Sequence, residues 1–426
     1  MEQLAKQDQA LTCTDESTQK KPMSKHRSLI FTVLAKLENS CIEIIEDGEH
    51  TLFGDRSASL SGTVVIHDIS FYKDMVLGGG IGAAEAYMDG KWTSPDLTAV
   101  IRVMAANQHQ LDKVEQKVQW FSKFKNQLLR WKNANSEQGS KRNILAHYDL
   151  GNELYNRFLD PSMQYSCAIY SQERSTLEQA QQLKMKTICE RLELKATDRV
   201  IEIGTGWGGL AIYIAQHYGC HVTTTTISEA QHQYAEDKIN ALGLAENITL
   251  LKQDYRKLTG SYDKLVSVEM IEAVGHEYLS TFFKKCSNLL KSDGKMLIQS
   301  ITIADKRYDR YRKNVDFIQK YIFPGGCLPS VSVITGKMAR NTDLVVHEIH
   351  DIGLHYARTL HDWRIEFDKN WSELINLGYN DEFKRLWNFY LCYCEGAFLQ
   401  RSISTHHVVA RKPDFRGQGD ETILDY

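Results

Sequence analysis

Residues 199–215, RVIEIGTGWGGLAIYIA, set an apolar run, a cluster of glycines and a second apolar run in immediate succession. Val200, Ile201 and Ile203 read as a buried strand, and a helix is expected from about Trp207 to Tyr218, ended by Gly219. The next segment, HVTTTTI at 221–227, is rich in β-branched residues and reads as a second strand, completing one βαβ unit. Glycines after a strand let the backbone approach a ligand closely, and the amino end of the following helix points unpaired N–H groups at an anionic one.

Gly204, Gly206 and Gly209 satisfy G-x-G-x-x-G, so a dinucleotide is one candidate ligand. Such a site wants Asp or Glu about 20 residues past the glycines, or a nearby Arg for a 2′-phosphate. Here the strand ends in threonines and Ile227, Glu229 falls in a helix start, and the nearest base is Lys238. The nicotinamide reading weakens, and an S-adenosylmethionine site, which often has an acid there too, is disfavoured less heavily. A strand at Tyr262–Val268, a helical stretch through Phe282 and Leu289, an Asp293-Gly294 turn and a strand at Met296–Ile303 follow. This run resembles the second half of the class I S-adenosylmethionine-dependent methyltransferase fold, whereas periodicity alone gives only alternating α and β.

The chain of 426 residues is long enough for two or three domains, and 42% hydrophobic with 25% charged residues is ordinary globular composition. The first 26 residues lack the apolar segment of a signal peptide, and no run is long and apolar enough for a membrane span, so a cytoplasmic location is expected. Nine cysteines without a CxxC pair or a Cys/His cluster suggest neither disulfides nor a metal site. A net charge of −3 gives no global attraction to nucleic acid or anionic lipid. Between Lys117 and Arg142, however, seven basic residues meet one acid, and Phe121, Phe124, Leu128 and Trp131 share one helical face. That helix suits the inner surface of an anionic bilayer or packing between domains; single-stranded nucleic acid is a poorer fit. The expected division is a tail at 1–27, a small α/β domain at 28–116, the basic helix and linker at 117–141, a larger domain at 142–411 and a tail at 412–426. In the small domain, strands are expected at Ile42–Ile45 and Thr63–Ile66, and helices at Ser28–Asn39 and Ile81–Met88.

HYDLGNELY at 147–155, MQYSCAIY at 163–170, YIFPGGCLPS at 321–330 and YMDGKW at 87–92 together resemble the cyclopropane fatty acid synthases and their mycolic acid relatives. The resemblance runs from about Gly79 to Arg411. It implies a Rossmann-like sheet with helices on both faces plus a smaller α/β amino-terminal domain. The implied activity is methylene transfer from S-adenosylmethionine to a cis double bond in a phospholipid acyl chain, through a carbocation that a fixed positive side chain would repel. Bound bicarbonate is the implied base. Its implied ligands are Glu272, Tyr356, Gln299 and the backbone at Cys167 and Ile301, with Cys394 lining the site. Bacterial members commonly carry His where this chain has Gln299, which holds an anion but cannot change charge. That departure leaves a methyl-branched or methylene product as the alternative to a ring, and a non-catalytic lipid-binding relative as a further one. Cofactor contacts are implied for Tyr165, Ser166, Glu202, Gly204, Gly206, Trp207, Gly208, Thr226, Ile227, Gln231, Asp254 and Tyr255. A homodimer is left open.

Plainer readings stand beside these. Taken alone, Glu269 and Glu272 on one helical turn read best as a solvated face. Ser228 to Gln231 fits a capping box, and Cys394 is by default a small buried hydrophobe.

Overall fold

The computed structural model describes residues 24–109 and 151–417, so the basic helix at 117–141 and the ends of both expected tails lie outside the described residues. Helix α1 (Lys25–Leu34) starts earlier than expected, because the Ser24 side chain accepts from the Arg27 N–H and caps it. It is followed by strands β1 (Cys41–Glu46), β2 (Glu49–Gly54) and β3 (Ser61–Ile66), helix α2 (Ser70–Met88), strand β4 (Trp92–Thr93) and helix α3 (Leu97–Ala106). These strands form one sheet in the order β2-β1-β3-β4. Ile42, Ile44, Val64 and Ile66 alternate along β1 and β3 and are buried on one face. The β1–β2 hairpin was not expected, although Asp47-Gly48, both at positive φ, is its signal. Helix α2 extends well before the expected Ile81 and breaks at Gly79, whose φ of 57° and ψ of −138° no helix contains.

The second sheet has seven strands in the order β10-β11-β9-β8-β5-β6-β7. They are β5 (Arg199–Ile203), β6 (His221–Thr226), β7 (Ile248–Lys252), β8 (Tyr262–Val268), β9 (Leu290–Ile303), β10 (Val345–Asp351) and β11 (Ile403–Arg411). Strands β7, β6, β5, β8 and β9 are parallel; β11 and β10 add antiparallel. Neighbouring residues of the central strands enter different cores: Ile201, Leu265, Met296 and Ile298 join one, and Val200, Val266 and Leu297 the other. Strands buried on both faces explain why these segments read as unbroken apolar runs. The Asp293-Gly294 turn expected before the last strand is a bulge inside β9, since the register against β8 jumps from Tyr262–Leu290 to Lys264–Lys295. The freed carbonyls of Gly294 and Ser292 accept from the N–H groups of Lys412 and Asp414, and Phe415 is buried, so chain placed in the expected tail packs on the sheet.

Helices α4 (Leu177–Leu192), α5 (Gly209–Tyr218), α6 (Glu229–Ala241), α7 (Leu279–Leu289), α8 (Gly353–Lys369) and α9 (Asp381–Leu399) surround this sheet. The amino-terminal segment shares a core with α8 and α9, in which Trp92, Val100 and Val103 pack with Trp363, Trp387 and Phe389. Thr98 donates to the buried Glu395 carboxylate at 3.0 Å across that contact. A Cβ on Gly396 of α9 would lie 2.7 Å from Ile101, so glycine is what allows this approach.

Candidate active site

The order of the strands reverses between β5 and β8, and ligands of open α/β sheets sit at the carboxyl ends of the strands beside such a point. Gly204, Gly206 and Gly208 follow β5 with φ values of 104°, 52° and 88°. This left-handed loop delays the helix to Gly209, two residues beyond the expected Trp207. A Cβ on Gly206 would meet nothing within 4 Å, leaving open space above the loop. The indole N–H of Trp207 donates to Asn152 Oδ1 at 2.8 Å, tying the loop to the segment before Tyr165.

Around the loop stand the residues implied as cofactor contacts. Glu202 accepts from Thr224 Oγ1 at 2.5 Å, and burial pushes its carboxyl up to about 8. Thr226 donates to Gln231 Oε1 at 2.9 Å, while the Gln231 N–H donates to Ser228 Oγ. Only half of the expected capping box forms, because the Gln231 side chain turns to β6. Ile227 lines the same cavity as the loop. Burial opposes the charge on Asp254, but hydrogen bonds from Arg256 at 2.6 and 2.8 Å hold its carboxyl below the ordinary value. Tyr255 packs edge-on against Phe282.

Opposite the loop, Tyr165 stacks on Trp363 and its hydroxyl lies 2.8 Å from that of Tyr390. Ser166 Oγ accepts from Lys184 Nζ at 2.9 Å, and Gln164 Oε1 accepts from the same ammonium at 2.5 Å. Burial pulls Lys184 down to about 8, against the attraction of Glu269 and Asp160.

The two acids after β8 form no solvated face. Glu269 closes the strand end at φ 49°, and Glu272 sits on a single 3₁₀ turn, Ile271–Ala273. Glu269 Oε1 accepts from Gln299 Nε2 at 2.7 Å and from the Cys167 N–H at 3.0 Å, while its Oε2 accepts from Tyr356 Oη at 2.7 Å. Glu272 Oε1 accepts from the Ile301 N–H at 2.6 Å and Ser300 Oγ at 3.0 Å, and its Oε2 is buried without a hydrogen-bond partner. Burial first, then the charge of Glu269, pushes Glu272 up to about 8. The donors expected to hold bicarbonate therefore converge on protein carboxylates, and that ion does not fit them. Glu269 is the residue the sequence reading missed; its signal was an acid one residue past a strand facing the glycine loop. The Cys167 thiol is buried against carbonyl oxygens, and burial raises both it and Cys394, so both stay protonated.

One cavity of about 1010 Å³ joins these groups. Its wall runs from Gly204, Gly206 and Trp207 past Glu269, Glu272, Ile301, Tyr356 and Cys394 to Ile30, Ile42, Val64 and Trp92 of the amino-terminal segment. Its basic residues are Arg256, Arg307, Arg310 and Lys320, of which Arg256 pairs with Asp254 and Lys320 with Glu85. A glycine turn after the first strand of a sheet in this order, with helices on both faces, defines the class I S-adenosylmethionine-dependent methyltransferase fold. Mycolic acid cyclopropane synthase CmaA1 complexed with SAH and CTAB matches it with a TM-score of 0.60 and 27% identity, over 64% of this chain and 98% of that one. The chain belongs to the mycolic acid cyclopropane synthetase family, whose pattern matches residues 135–408. It is 38% identical to cyclopropane-fatty-acyl-phospholipid synthase of Escherichia coli (strain K12) over 83% of this chain and 88% of that one. It is also 36% identical to tuberculostearic acid methyltransferase of Mycobacterium tuberculosis over 75% and 76% of the two chains.

Proposed function

We propose that this enzyme transfers a one-carbon unit from S-adenosylmethionine to the cis double bond of unsaturated phospholipid acyl chains and closes a cyclopropane ring. The observation that carries the reading is the continuity of the cavity, from a polar glycine loop through buried carboxylates to an apolar chamber. Bound S-adenosylmethionine supplies an electrophilic methyl group on a sulfonium. Gly204 and Gly206, which line the cavity, would let the backbone close on it, with Gln231 and Asp254 offering polar contacts beside the loop, whereas Gly208 faces Ala235 of α6 and shapes the turn instead. Tyr165 and Trp207 give an aromatic wall that attracts a cation through its ring faces. Cys394 serves as neutral wall.

The whole cavity, its polar end included, lies at the upper end of the ~300–1,000 Å³ typical of ligand pockets, room for a cofactor together with an apolar chain. Leu77 is 64% exposed and also lines the cavity, and Ile69 is 65% exposed on the same amino-terminal segment. Of the two, Leu77 puts an exposed apolar side chain on the cavity wall, which supports entry of lipid beside it. No described helix is long and apolar enough to cross a membrane, so the association proposed is peripheral.

Vesicles of unsaturated phospholipid incubated with the protein and methyl-labelled S-adenosylmethionine test the reading. A labelled ring CH₂, seen by NMR and mass spectrometry of the lipids, is the expected product. A branch methyl would replace ring closure by simple methylation, and no label in lipid would leave only a binding protein.

A further inference from the structure

We infer that the carboxylate of Glu269 is the base that removes the ring-closing proton, in place of the bicarbonate implied by the family resemblance. The inference rests on the methylene-transfer reading above. Its first support is the convergence of donors: Tyr356 Oη, Gln299 Nε2 and the Cys167 N–H all point at this one carboxylate, within 2.7–3.0 Å. Burial raises this carboxyl, and the three donors together with the charge of Lys184 work against that by favouring its ionised form, while Oε2, with one donor, keeps a lone pair for a proton.

A second support is the backbone. A non-glycine residue at φ 49° costs about 1 kcal/mol, and such strain collects at functional positions. Here it turns the chain sharply after β8 and places Glu269 on the cavity wall.

The third is the set of groups that aim Gln299. Arg191 can only donate, so its 2.6 Å contact makes His407 Nδ1 the acceptor and leaves the proton on Nε2. That N–H donates to Gln299 Oε1 at 2.8 Å, which fixes the amide with its NH₂ toward Glu269. A glutamine thus presents a fixed donor where a titrating group would compete for the proton.

In the step, the alkene π pair forms a C–C bond to the sulfonium methyl carbon while the C–S pair stays on sulfur. Glu269 then takes one proton from that carbon, and the released C–H pair closes the second ring bond. S-adenosylhomocysteine and a protonated Glu269 remain, and the proton passes to water as product leaves.

The test compares the full-length enzyme with Glu269→Gly, in which glycine accepts the positive φ and the three donors lose their anion. Label transfer from S-adenosylmethionine to vesicle lipid is measured in CO₂-depleted buffer, with and without added bicarbonate or formate. Thermal stabilisation by S-adenosylhomocysteine reports folding and cofactor binding in both proteins. Wild-type turnover is expected to ignore bicarbonate. Glu269→Gly is expected to keep the thermal response, lose about 10²–10⁴-fold in turnover and regain part of it with either anion. Wild-type turnover that requires bicarbonate overturns the inference, as does Glu269→Gly turnover near the wild-type rate without anion, or a deficit that neither anion repairs. Failure of the wild type to label any lipid would overturn the methylene-transfer reading itself, and this inference with it.

Discussion

Replacing Lys184 by methionine isolates a buried charge whose effect on stability has a defined sign. The ammonium lies wholly inside, between Gln164 Oε1 and Ser166 Oγ, and burial moves it from 10.5 to about 8. Between those values the unfolded chain holds the proton and the folded chain does not, so stability rises with pH through that window. At about 1.36 kcal/mol per pKa unit, the wild type should carry a penalty of about 3 kcal/mol below pH 8 that vanishes near pH 10.5. Methionine has similar length and no charge, so its variant should lack this rise. Urea unfolding of both proteins at intervals from pH 7 to 10.5 gives the difference directly, and groups that do not feel the charge of Lys184 cancel, Glu202 and Glu269 being the acids that do feel it. The advantage of Lys184→Met over wild type should fall by about 3 kcal/mol across the range. A difference that stays flat would show that Lys184 keeps its ordinary pKa and would refute the reasoning from burial.

In Gly209→Ala a Cβ would stand 2.2 Å from the Ser162 carbonyl oxygen, so urea unfolding should show a loss of roughly 1–3 kcal/mol, and S-adenosylhomocysteine should stabilise the variant less. Thr98→Val removes the donor to the Glu395 carboxylate between α3 and α9; about 1.5–3 kcal/mol should be lost in the same measurement. Glu202, raised to about 8 by burial, keeps its proton in the fold over pH 4.5–8 where the unfolded chain releases it. The contribution of Glu202 to stability therefore falls through that interval, and the stability of wild type relative to Glu202→Gln should fall with it in unfolding measured from pH 4.5 to 8.

The βαβ unit at 199–227 was legible because its information is local: an apolar run, glycines, a helical period and β-branched residues follow one another within fewer than thirty positions. Asp47-Gly48 marks the β1–β2 hairpin just as locally. The bulge in β9 could not be read, since Asp-Gly says that the chain turns and only pairing with β8 says that the strand resumes.

Sequence by itself determined the glycine loop, the strands that flank it and the presence of acids just past β8. Tertiary structure alone decided what those acids do. Glu269 reads as solvated until Cys167, Gln299 and Tyr356, far apart in the chain, are brought around it. The amide of Gln299 likewise takes its direction from His407, 108 residues away. A side chain's charge state and orientation depend on the donors that surround it in space, and no periodicity along the chain encodes them.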